Sequence, residues 1–375
     1  MDRVDQYLFD KLNERALAGN LRQLKTNRAP ADLFSNDYLG LATTGALTVG
    51  HDTVQGPMYT GATGSRLLSG NSVQAEELEH TIAAFHNAEA ALLFNSGYDA
   101  NVGLLASVAS RDATILSDEL CHASIIDGIR LSQCSRKYKF RHNDVNDLED
   151  KLKRHTAAGP ILVVVESVYS MDGDMAPLQD IARLCETYNA RLIVDEAHAT
   201  GVFGSHGEGL VCQLGLQDKV FARTHTFGKA LGCHGAAIAG SDLLKQYLIN
   251  FARSFIYTTA LPGHSVQAIA LAYQYLSSAD FTNRQLHELI SYFREQIKAP
   301  GTAGWKESTS AIQAIVIGDN EHSKLLASKL QQAGLQVNPI LHPTVPLGME
   351  RLRICLHTFN TKEQVDLLFE IIKFA

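Results

Sequence analysis

A chain of 375 residues, 45% hydrophobic and 19% charged, is long enough to bury one large core and a smaller second one. Its formal charge of −7 argues against a basic face for a phosphodiester backbone, and so against a nucleic-acid partner. Six widely spaced cysteines without a C-x-x-C pair fit a reducing cytoplasm, and the charged N-terminus (Asp2, Arg3, Asp5, Asp10, Lys11, Glu14, Arg15) with no aliphatic run longer than residues 161–165 argues against a secretion signal or a membrane span.

At the N-terminus, Val4, Tyr7, Leu8, Leu12, Leu17 and Leu21 recur at roughly helical spacing before a break near Pro30, which predicts an amphipathic helix lying on something larger. From about residue 45 to 260, helix-like stretches (73–87, 178–188) alternate with short strand-like runs (90–94, 113–117, 161–166, 191–195, 236–239). That rhythm predicts an α/β fold, a mostly parallel sheet covered by helices on both faces. Pro262-Gly263 then opens a long helical region to about Lys298. A strand (311–317), a helix (323–333), two strands (336–340, 351–356) and a final helix (362–374) follow and form a smaller α/β unit. The expected organisation is a helical arm over residues 1–45, a large domain over 46–261 and a small C-terminal domain over 262–375.

In open α/β sheets ligands lie beyond the carboxyl ends of the strands, so polar residues there carry the most weight. Three ends stand out: residues 161–165 run into Glu166 and Ser170, residues 192–194 into Asp195, Glu196 and His198, and residues 220–222 toward Thr224, Thr226 and Lys229. Any one of these carboxylates could simply cap a following turn. Lys229 is the only formally charged side chain between Arg223 and Asp242, in a run rich in Gly and Ala. Desolvation lowers a lysine pKa, and a neutral amine is the nucleophile that forms an imine with an aldehyde. A lysine on a glycine-rich surface loop is the plain alternative.

Asp195 supplies a carboxylate able to pair with a protonated pyridine nitrogen, and His198 can reach a ring oxygen. Asn95-Ser96-Gly97-Tyr98, where a strand turns into a helix, offers the N–H groups and hydroxyls that a phosphate needs. His122 can stack on a flat ring, and Arg353 on a C-terminal strand suits bidentate carboxylate binding or, alternatively, a solvated strand face. Asp195-Glu196-Ala197-His198 also spells an acidic box of nucleic-acid-stimulated ATPases, but that reading requires a G-x-x-x-x-G-K-[ST] loop, and the chain has none. A metal site on Asp195, Glu196, His198 and His206 matches no familiar zinc spacing.

Taken together the motifs resemble those of the α-oxoamine synthases, a family of fold-type I pyridoxal-phosphate enzymes. They are Asn36-Asp37-Tyr38-Leu39-Gly40, the Gly64-to-Asn71 segment GSRLLSGN, His122-Ala123-Ser124, Ser170-Met171-Asp172-Gly173-Asp174, the Val194-to-Gly201 segment VDEAHATG, Thr226-Phe227-Gly228-Lys229-Ala230 and Arg351-Leu352-Arg353. The likeness runs over nearly the whole chain, in the family's order. It implies a decarboxylative condensation of a small amino acid with an acyl thioester, carried by coenzyme A or an acyl carrier protein, in a homodimer with shared active sites. By this resemblance Lys229 would form the imine with pyridoxal 5'-phosphate, His122 would stack on the ring, Asp195 would pair with the pyridine nitrogen and His198 would contact the ring oxygen. Ser96, Gly97, Tyr98 and Thr226 would surround the phosphate, with Thr258 and Thr259 reaching it from the second subunit. Asn36, Ser170, Thr344 and Arg353 would line the amino-acid side, and Arg22 would face the acyl substrate. The segments 310–313, 318–320 and 343–346 are similar to one branch of the family, whereas 118–130 also resembles the glycine-using 2-amino-3-ketobutyrate ligases. Two departures are Gly263, where a second proline is common, and Cys121, where serine or asparagine usually precedes the histidine.

Overall fold

The computed structural model describes residues 2–24, 26, 29–47, 60–156, 159–298 and 304–373. Its strands in chain order are β1 (Ala31–Asp32), β2 (Ala90–Phe94), β3 (Thr114–Asp118), β4 (Arg136–Phe140), β5 (Ile161–Glu166), β6 (Ala190–Asp195), β7 (Val220–Thr226), β8 (Ala236–Gly240), β9 (Ile312–Val316), β10 (Leu335–Gln336), β11 (Asn338–Ile340) and β12 (Arg351–Cys355). The chain divides into two compact units. The larger comprises Asn36–Ser170 and Met175–Gln285, and the smaller comprises Met1–Ser35, Met171–Asp174 and Leu286–Ala375.

The larger unit carries a seven-stranded sheet in the order β2-β8-β7-β6-β5-β3-β4. Neighbours from β4 to β7 pair in parallel, and β8 alone runs the other way, antiparallel to both β7 and β2. The mostly parallel sheet expected from the sequence is therefore present. Its central strands explain why: every residue of β3 and β5 is buried, and a strand apolar on both sides is stable only between two layers of helices. Leu104, Ile115, Val164, Ile193, Ala222 and Leu248 belong to the core on one side of the sheet. Strand β4, with sequence RKYKF, was not anticipated. It closes one edge, where charged side chains discourage pairing with another sheet and also blunt the hydrophobic signal.

Two expectations are corrected. The long helical region is two helices, Gly263–Leu276 and Arg284–Ile297; the intervening SSADFTN segment is rich in residues whose short polar side chains compete with helical backbone bonds. The first of these helices packs on helix Val73–Phe85 in the larger unit. The N-terminal helix spans only Arg3–Leu17 and buries none of its residues, so its apolar stripe of Val4, Tyr7, Leu8 and Leu12 faces solvent. Asp2 caps its start, accepting the N–H groups of Val4 and Asp5. Its end is set by Gly19, whose φ of 66° allows Gly19 N–H to reach the Ala16 carbonyl and Asn20 N–H the Arg15 carbonyl, a pattern that stops a helix abruptly.

In the smaller unit β11, β12 and β9 form an antiparallel sheet, and β1 pairs in parallel with β10. Helices Asn320–Gln332 and Lys362–Lys373 accompany them. Among the described residues, no helix is long and apolar enough to cross a membrane.

Candidate active site

Because β2, β3, β5, β6 and β7 all point the same way, their carboxyl ends lie along one edge of the sheet. That edge gathers Asn95 and Ser96 after β2, Asp118 at the end of β3, Glu166 of β5, Asp195 of β6 and Thr226 of β7. Residues up to 131 positions apart in sequence thus become neighbours at the place where a wound sheet binds its ligand.

Lys229 lies three residues beyond β7, half-buried rather than on a free surface loop. Its Nζ is 2.8 Å from Nε2 of His198. His198 is buried, and its Nδ1 is 2.7 Å from the Tyr38 hydroxyl, which in turn donates to Asn36 Oδ1 at 3.1 Å. Lys229, His198 and Asn36 are therefore brought together through Tyr38, a residue quoted from the motif but given no role by sequence reasoning.

Asp195 is buried at the end of β6. Its Oδ1 accepts the Ala197 N–H at 2.9 Å and its Oδ2 accepts Asn101 Nδ2 at 2.7 Å, two donors that fix its orientation. Asn101 also donates to Ser124 Oγ, which is 2.8 Å from Nδ1 of His122. His122 caps helix Ala123–Leu131, its Nδ1 accepting the Ser124 N–H. The surrounding protein lowers the His122 pKa; the Asp195 carboxylate opposes that shift and the Lys229 charge adds to it, so the ring is neutral at pH 7. Sequence reasoning missed Asn101, although a buried amide within the apolar helix Gly97–Val108 is a legible signal.

The phosphate side fits its intended group. Ser96 caps helix Gly97–Val108, accepting the Asp99 N–H at 3.1 Å, so the helix N-terminus opens toward the strand ends with its N–H groups available to an anion. A Cβ on Gly97 would overlap the Thr226 hydroxyl: the two predicted residues meet, and only glycine leaves room for that closeness. Tyr98 is exposed and donates to Asp127 at 2.7 Å. The chain's own Thr258 and Thr259 lie beside this turn, since Asn95 Nδ2 reaches Thr258 Oγ1 at 2.9 Å and the Thr259 carbonyl at 2.8 Å. A small cleft of about 20 Å³ adjoins them, lined in part by Arg66, Asn95, Phe255 and Thr258.

The remaining predicted residues are distributed between the units. Ser170, half-buried, ends the first segment of the larger unit. In the smaller unit Arg22 Nη2 is 3.3 Å from Thr344 Oγ1, which joins two predicted substrate residues. Arg353, opposite Ala314 and Asn338 on β12, is buried rather than on a solvated face. Arg351 on the same strand pairs with Asp172 of the SMDGD motif. Glu196 of the acidic box is fully buried; its Oε1 accepts the N–H groups of Leu210 and Val211, and burial pushes its pKa up to about 7 against the opposing charge of Arg223. It secures the turn behind the site.

The model of the family "Aminotransferase class I and II" matches residues 30–372. The chain is 42% identical over 362 residues to an 8-amino-7-oxononanoate synthase of Emericella nidulans, covering 91% of this chain and 88% of that one. It is 39% identical over 356 residues to one of Lysinibacillus sphaericus, covering 95% and 91%. Among solved structures it is similar to Sphingomonas wittichii serine palmitoyltransferase (TM-score 0.88, 28% identity, 100% and 98% coverage). It is also similar to an 8-amino-7-oxononanoate synthase from Francisella tularensis (TM-score 0.76, 29% identity, 92% and 97% coverage). The chain therefore belongs to the class I and II aminotransferase family and, within it, to the 8-amino-7-oxononanoate synthases, pyridoxal-phosphate-dependent enzymes of the α-oxoamine synthase group.

Proposed function

We propose that this enzyme, an α-oxoamine synthase of biotin synthesis, condenses L-alanine with a pimeloyl thioester to give 8-amino-7-oxononanoate, the free thiol and carbon dioxide. The observation that carries the reading is the 2.8 Å approach of Lys229 Nζ to His198, three residues beyond the buried carboxylate of Asp195. When bound, pyridoxal phosphate supplies an aldehyde for imine exchange and a ring that withdraws electrons from the substrate Cα. The free amine of Lys229 would be the base that takes the substrate Cα proton. Asp195, anchored by Asn101, would face the ring nitrogen, and neutral His122 would cover the ring without adding a competing charge. His198, oriented by Tyr38, contacts the ring oxygen. Ser96, Gly97, Tyr98 and Thr226 hold the phosphate, joined across a homodimer by Thr258 and Thr259 of the second subunit. Asn36, Ser170, Thr344 and Arg353 are the residues we assign to the amino acid, and Arg22 to the acyl chain.

A second reading, serine palmitoyl transfer, is favoured by the TM-score of 0.88 against 0.76. Sequence identity of 42% to an 8-amino-7-oxononanoate synthase against 28% to the serine enzyme supports the first. Product mass analysis separates them: alanine, glycine and serine are each offered with pimeloyl, acetyl and palmitoyl thioesters, of coenzyme A and of acyl carrier protein. Product formed chiefly from alanine and the pimeloyl chain supports the assignment; preference for serine with palmitoyl, or for glycine with acetyl, overturns it.

A further inference from the structure

Strands β5 and β6 run parallel and in register, with Glu166 opposite Asp195. Both side chains therefore leave the same face of the sheet from Cα atoms about 5 Å apart, and both are buried. Glu166 Oε1 accepts the main-chain N–H of His122 at 2.6 Å. Asp195 reaches the same residue by another route, through Asn101 Nδ2 at 2.7 Å, then Ser124 Oγ at 2.9 Å, then His122 Nδ1 at 2.8 Å. The two carboxyls and His122 thus close a ring of contacts, one holding its backbone and the other its imidazole.

Like charges on neighbouring buried carboxyls disfavour one another. Asp195 has two donors on its oxygens, Asn101 Nδ2 and the Ala197 N–H. Glu166 takes the proton: burial and then the Asp195 charge push its pKa up to about 8, opposed by Lys229 and the His122 N–H, with Asp118 adding a smaller upward push. Cys121 and Tyr169, also facing it, are held far above their usual pKa values and stay neutral.

We propose that Glu166 is a positioning residue of the site, fixing His122 through its main chain as an uncharged neighbour of Asp195, so that it sets no second negative charge beside the carboxylate that faces the cofactor ring. The inference rests on the pyridoxal-phosphate reading above, but its central test does not require the cofactor. In the cofactor-free protein the unfolded chain releases the Glu166 proton above about pH 4.5, whereas the folded chain keeps it until about pH 8. Wild-type stability is therefore lost as pH rises through this window. Glu166→Gln keeps a neutral acceptor for the His122 N–H and has no such loss.

The experiment measures thermal midpoints of cofactor-free wild type and E166Q from pH 5.5 to 8.5, and the dissociation constants of pyridoxal phosphate for wild type, E166Q and E166A. The midpoint of E166Q relative to wild type should rise by at least about 3 °C across the range. E166A should bind the cofactor about tenfold more weakly, with E166Q restoring most of that loss. A midpoint difference that does not change with pH, or a Gln variant as impaired as the Ala variant, overturns the proposal. Failure of wild type to bind pyridoxal phosphate would instead overturn the functional reading.

Discussion

The Tyr38 hydroxyl lies 2.7 Å from Nδ1 of His198 while giving its own proton to Asn36 Oδ1. A hydroxyl has one proton, so when that proton serves Asn36 the imidazole donates from Nδ1 and presents the lone pair of Nε2 to the Lys229 amine. Tyr38→Phe removes the group that fixes this tautomer without changing the packing volume much. We expect kcat to fall by about tenfold, equivalent to roughly 1.4 kcal/mol, with the thermal midpoint little changed; steady-state kinetics and thermal melts check both.

Lys229→Ala should abolish turnover and the visible absorption of the bound cofactor. Borohydride treatment of wild type with added pyridoxal phosphate, followed by peptide mass mapping, should label Lys229. A variant that retains the visible band would remove this lysine from its role.

Gly97 and Thr226 meet so closely that a methyl group on the glycine would occupy the space of the threonine hydroxyl. Gly97→Ala should weaken cofactor binding at least about tenfold. Because the obstruction is steric and local, adding Thr226→Ser should not relieve it, whereas Thr226→Ala should restore part of the affinity through a strong coupling between the two sites. Cofactor titration of the single and double variants measures that coupling.

Asn101 joins Asp195 to Ser124 from inside an otherwise apolar helix. Removing a hydrogen-bond donor from a buried charge costs about 1.5–3 kcal/mol. Asn101→Ala should accordingly lower stability by that amount in urea unfolding and weaken pyridoxal phosphate binding, because the carboxylate loses the contact that holds it in place.

His86 and His225 stack with centroids 3.6 Å apart in the interior behind the site. Burial, with Arg223 nearby, holds His86 down at about 3, and burial with His86 and Arg223 holds His225 far below its usual range. The unfolded chain protonates both below about pH 6.5 while the folded chain resists, so their contribution to stability is present above that pH and is lost as pH falls toward 3. The thermal midpoint should drop more steeply between pH 7 and 5 in wild type than in His225→Asn, which keeps an amide near the Thr200 hydroxyl. Parallel slopes would contradict this account.

The parallel sheet was legible because β3 and β5 are short runs of wholly buried residues, and the site was legible because Glu166, Asp195 and Thr226 each follow such a run. Strand β4 was not, since an edge strand needs charge more than apolar continuity. The arm illustrates a different limit. Its helical periodicity predicted a helix and the structure has one, but the same apolar stripe suggested a covering surface, and the helix buries no residue.

Local pattern alone determined that this chain is a wound α/β protein with an isolated lysine after a strand, an acidic strand end and a Ser-Gly helix start. Only the folded chain decided that β5 lies beside β6, setting Glu166 against Asp195, that Asn101 and Tyr38 support the site, and that one buried carboxyl keeps its proton at neutral pH. The division has a physical cause. Periodicity and turn chemistry act over a few residues, whereas strand order, burial and pKa depend on which distant residues exclude water from one another.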